Sequence, residues 1–90
     1  MSIVIHLHPD MYYLADNNEF VETSGDTVGE CIGRLIRRYP GLHDLVFYKD
    51  GRLQTFIEIY VNRKAACPNE LTREVRDGDE IHLIMTIAGG

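Results

Sequence analysis

Thr27-Val28-Gly29-Glu30-Cys31-Ile32-Gly33-Arg34-Leu35-Ile36-Arg37-Arg38-Tyr39-Pro40-Gly41 reads as one amphipathic helix with both of its ends marked. Thr27 and Glu30 form a capping box, in which each side chain can satisfy a free amide of the first turn. Val28, Cys31, Ile32, Leu35, Ile36 and Tyr39 recur at helical period and make a single apolar stripe. Pro40-Gly41 ends it. Arg34, Arg37 and Arg38 lie in the last turns, where positive charge complements the helix dipole, so a solvated end is preferred to a partner contact.

A stripe of this kind needs a sheet to cover it, and the flanking sequence supplies strands. Ile3-Val4-Ile5-His6-Leu7-His8 alternates, with Ile3, Ile5 and Leu7 on one face. Asp16-Asn17-Asn18 has turn chemistry, and Glu19 to Thr23 fits a second strand of a hairpin. Lys49-Asp50-Gly51-Arg52 is a tight turn between short extended pieces, with Asp-Gly supplying positive φ. Phe56 to Asn62 and Ile81 to Ile87 are strands, and the less regular stretch between them is punctuated by Pro68-Asn69 and Asp77-Gly78. A hairpin, a helix and then further strands allow the last strand to return parallel to the first. The predicted class is therefore α+β, a β-grasp with a mixed four- to five-stranded sheet packed on one main helix. Ile3, Ile5, Leu7, Ile57, Ile59, Val61, Ile81, Leu83 and Met85 should face the helix.

The chain has 90 residues, 44% of them hydrophobic and 26% charged, which suits one domain with one modest core. The expected division is a domain over residues 1–86 and a flexible tail over 87–90. A net charge of −5 argues against nucleic acid and anionic membrane surfaces, both of which need a positive footprint. No apolar run approaches the ~20 residues that cross a bilayer. The first ten residues do not read as a signal peptide, so a cytoplasmic location with reduced thiols is expected. Cys31 falls on the buried stripe and Cys67 stands beside Pro68, without the number or spacing of a disulfide framework.

Several segments together resemble a known family. They are Ser24-Gly25-Asp26-Thr27-Val28-Gly29 opening the helix, Phe56 to Asn62, Asp77-Gly78-Asp79-Glu80 before the last strand, and the ending Ile87-Ala88-Gly89-Gly90. In this order they resemble the ThiS/MoaD family of ubiquitin-like sulfur carriers, in appearance closest to its CysO-like branch. The chain departs from the family at Met85-Thr86-Ile87, where members often carry proline.

The resemblance implies a carrier and not an enzyme. The α-carboxylate of Gly90, ionised at neutral pH, is a poor electrophile and must be activated. A ubiquitin-activating-enzyme-like partner would use Mg-ATP to adenylate it, and a sulfur donor would convert it to a thiocarboxylate. That sulfur would pass to an accepting biosynthetic enzyme, with cysteine or a related metabolite as the favoured product. A MoaD-like subunit of molybdopterin synthase, a ThiS-like thiamine-pathway carrier and a protein modifier forming isopeptide bonds are the alternatives. No cofactor bound to this chain is implied. Gly89 and Gly90, lacking side chains, can thread a narrow channel in a partner.

The sheet face opposite the helix should show Val4, His6, His8, Phe56, Glu58, Tyr60, His82, Ile84 and Thr86. Val4, Phe56, Tyr60 and Ile84 would form an exposed apolar patch suited to partner docking, joined by Met85, Ile87 and Ala88. If the last strand lies beside the first, His6, His8 and His82 come together, and three imidazoles can hold zinc with an open fourth position. Solvated imidazoles on a polar sheet face are the preferred reading, so no metal site is assigned.

Overall fold

The computed structural model describes residues 2–86. Its strands are β1 (Ile3–His6), β2 (Phe20–Thr23), β3 (Ile57–Val61), β4 (Lys64–Ala65) and β5 (Glu80–Met85). Helix α1 (Val28–Arg38) follows β2, and a short α2 (His43–Val46) follows a 3₁₀ turn over Pro40–Leu42. The sheet order is β2-β1-β5-β3-β4, with β1 and β5 parallel and the other pairs antiparallel. This is the expected mixed sheet. The return of β5 beside β1 completes the β-grasp.

Alternation along the strands sends one set of side chains into the core. Ile3, Ile5, Leu7, Ile57, Ile59, Val61, Ile81 and Leu83 are all buried there. Val28, Cys31, Ile32, Leu35 and Tyr39 from the helical stripe join them, while Ile36 is only partly buried. Met85 packs against this core at its margin rather than within it. Among the described residues no buried side-chain polar atom lacks a hydrogen-bond partner.

The start of α1 shows why this local sequence works. Thr27 Oγ1 accepts from the Glu30 amide at 3.2 Å, as a capping box requires. The Glu30 carboxylate accepts from the Asp26 amide at 3.1 Å, one residue earlier than the reciprocal bond to Thr27 expected from sequence. The next two free amides, of Val28 and Gly29, donate to the carbonyls of Arg73 and Leu71. A Cβ on Gly29 would lie 2.8 Å from the Leu71 carbonyl oxygen, so this approach needs glycine. The irregular 66–79 segment is thereby fastened across the helix start.

Arg34 is not a free dipole charge, since its guanidinium donates to the Ser24 carbonyl and hydroxyl. Arg37 and Arg38 occupy the last turn. The connection between β1 and β2 is longer than a simple hairpin turn. Pro9–Leu14 forms a 3₁₀ helix before Asp16 and Asn17 turn the chain with φ of 54° and 63°. The predicted turn at Lys49–Arg52 is present, closed by a bridge between Phe47 and Leu53 and by Gly51 at φ 90°.

Candidate functional site

The outer face of the sheet carries the side chains that the core does not use. Strand register places Phe20, His6, His82 and Tyr60 in one row across β2, β1, β5 and β3. Ile84 and Glu58 form the next pair, and Val4 lies beside Glu80. Val4, His6, Tyr60, His82 and Ile84 are all half-buried. Phe20 is 58% exposed. It belongs with the patch although sequence reasoning passed it over; its pairing in alternation with Val21 was the available signal.

Two expected members of this face stand elsewhere. Phe56 lies just before β3 and packs against the margin of the core. Its carbonyl accepts from the Thr86 amide at 2.7 Å, which fixes the chain at the far end of β5. His8 does not join the other imidazoles, because β1 stops at His6 and Pro9 opens a helical turn. A proline has no amide to continue the ladder. His8 Nδ1 instead accepts from the Asp10 amide at 3.1 Å and caps that turn. Ile87, Ala88, Gly89 and Gly90 lie outside the described residues.

The imidazoles of His6 and His82 stack, with ring centroids 4.3 Å apart and planes 5° from parallel. Glu80, from the same face of β5, bonds His6 Nε2 at 2.5 Å. Partial burial pushes the His82 imidazole below its ordinary pKa, and the positive side of His6 and Arg63 acts the same way, against Glu80. Burial and these charges favour the neutral form of His82. Asn62 and Arg63, both at positive φ where the chain leaves β3, form the rim of this depression. Glu80 and Arg63 were absent from the sequence-based set.

The ThiS family sequence model matches residues 10–90, nearly the whole chain. The chain belongs to the ThiS family. Small archaeal modifier protein 1 from Haloferax volcanii is 37% identical over 71 residues, covering 78% of each chain. Its crystal structure has a TM-score of 0.86 at 30% identity over the full length of both chains. The sulfur carrier protein CysO from Mycobacterium tuberculosis is 33% identical over 73 residues, again 78% of each chain. A chain in the crystal structure of the Amycolatopsis orientalis BexX/CysO complex has a TM-score of 0.85 and 28% identity. That match covers 98% of this chain and 99% of the other. This ThiS-family chain is thus a ubiquitin-like β-grasp protein of the sulfur-carrier and small-modifier group. No helix among its described residues is long and apolar enough to cross a membrane.

Proposed function

We propose that this protein is a cytoplasmic sulfur carrier whose reacting group is the Gly90 α-carboxylate, with residues 87–90 serving as its tail. The observation that carries the reading is a family match running through Gly89 and Gly90, four residues beyond Thr86. An adenylating partner transfers AMP from Mg-ATP to the carboxylate and releases pyrophosphate. A sulfur donor then displaces AMP and leaves a thiocarboxylate. The sulfur goes to an accepting enzyme, with cysteine or a related metabolite as the product; molybdopterin and thiamine synthesis are the competing destinations. The β-grasp domain acts as a handle and supplies no catalytic group.

Docking would use Val4, Tyr60 and Ile84 on the outer face, with Phe56 and Met85 at its edge and Ile87 and Ala88 leading to Gly89 and Gly90. The BexX/CysO complex supports a life in assemblies for such carriers. A chain lacking Gly90 should fold normally yet fail to gain the about 16 Da of an oxygen-to-sulfur exchange, because function resides in the site and not in the fold. Mass spectrometry after incubation with the activating enzyme, ATP and sulfide reads this directly. A gain of that mass without Gly90 would place the charged group elsewhere.

The 37% identity to a small archaeal modifier protein supports a second use of the same carboxylate, isopeptide bonds to lysines. Immunoblots of tagged carrier in its host distinguish the two uses: ladders that vanish without Gly90 support modification, and their absence supports sulfur transfer alone.

A further inference from the structure

The geometry points to a divalent-cation site of the zinc class on the outer sheet face, formed by His6, Glu80 and His82. The site stands apart from the chemistry of Gly90, and its test is independent of it. One ligand atom from each of the three side chains lies within 4.8 Å of the other two. The set comes from two neighbouring parallel strands whose register, Val4 beside Glu80 and His6 beside His82, is fixed by backbone hydrogen bonds. Inward residues Ile5 and Ile81 on the same strands are fully buried. The backbone that presents the donors is therefore rigid, and only side chains must move.

Two imidazole nitrogens and one carboxylate oxygen are a donor set that zinc accepts, leaving a fourth position open. Bonds near 2.0–2.1 Å in a tetrahedral site put the donors about 3.3 Å from one another. The donor atoms, all within 4.8 Å of one another, reach that spacing by rotation of exposed or half-buried side chains. The rings now stack nearly parallel, so closing the site means tilting one imidazole off its neighbour. His6 Nε2 and Glu80 Oε1 are already 2.5 Å apart, and ligation through Nε2 requires the neutral tautomer that carries its proton on Nδ1. Asn62 and Arg63 line the same depression, and the Arg63 cation opposes a bound dication through space.

Zinc titration of the full chain, followed by NMR of the histidine side chains and by calorimetry, tests the site. One equivalent should shift His6 and His82 while leaving His8 and His43 unmoved. His82→Gln should weaken binding by at least about tenfold, as loss of a ligand does. Glu80→Gln should also weaken it, and Arg63→Gln should tighten it by about threefold through the removed repulsion. These three side chains are outside the core, and a dispersed spectrum verifies that each variant folds. No shift at His6 or His82 up to about 1 mM zinc, or an affinity unchanged in His82→Gln, would overturn the assignment.

Discussion

On its inner side the sheet is closed and aliphatic at Ile3, Ile5, Ile59, Ile81 and Leu83, whereas the same strands turn Val4, His6, Tyr60, His82 and Ile84 outward and leave them half-buried. The sets differ by a single step along each strand. Burial fixes the inner set by volume and shape. The outer set has no such constraint and is free to carry aromatic, imidazole and carboxylate groups. One consequence is that the strand register which stabilises the core also brings His6, Glu80 and His82 together on the surface.

The largest difference between interior and surface should appear in thiol chemistry. Cys31 is buried on the helix face that covers the sheet, and burial pushes its thiol above the ordinary value. Cys67 is exposed. Alkylation of native protein should modify Cys67 at least about 10³-fold faster, because reaching Cys31 requires an opening worth several kcal/mol. Similar rates would mean that α1 is not seated on the sheet.

Truncating neighbours on one strand should separate the faces next. Ile81→Ala removes a fully buried side chain and should cost about 2–5 kcal/mol in urea denaturation. Ile84→Ala, three residues along on the outer side, should cost less than about 1 kcal/mol. Function should invert this ranking. Ile84→Asp or Tyr60→Ser should leave the urea midpoint near that of the native sequence and lower kcat/KM for adenylation by the partner at least about tenfold, roughly 1.4 kcal/mol. An unchanged rate would remove the outer face from the docking surface.

The two faces were also unequally legible. The inner face followed from period-two alternation and the helical stripe, because burial imposes a repeating pattern on nearby residues. Even its boundary errors were small: β5 begins at Glu80 rather than Ile81, and β2 at Phe20 rather than Glu19. The β-grasp order was legible because one capped helix between strands leaves few ways to cover its stripe. The outer cluster was only half legible. His6 and His82 meet through the β1–β5 register, which the parallel return made readable. Glu80 escapes the pattern because a charged first residue of β5 carries no apolar mark of where the strand begins. Alternation through His8 overreaches, because β1 ends at His6 and Pro9 turns the chain into a 3₁₀ helix that His8 caps. The α2 turn went unread because four residues carry too little periodicity.

The smallest effect should arise at the start of β5, where both faces begin. Asp79 accepts from the Asn62 side chain at 2.9 Å and from the Arg76 amide at 2.8 Å. The Asn62 side chain in turn accepts from the Glu80 amide at 3.0 Å, so these bonds set the first residue of the strand. The hydrogen bond from Asn62, followed by that from Arg76, holds the Asp79 carboxyl below its ordinary pKa. Its charged form therefore favours the folded chain. That contribution is complete above the unfolded value of about 3.9 and is lost as pH falls through the lower folded value. Asp79→Asn should be slightly less stable than the native sequence at pH 7, with the difference shrinking in acid below about pH 4. Urea midpoints at neutral and acidic pH read this directly. A difference that stays constant across that range would mean that Asp79 supports the turn through shape and hydrogen bonding alone, with its charge contributing nothing to the strand on which both faces depend.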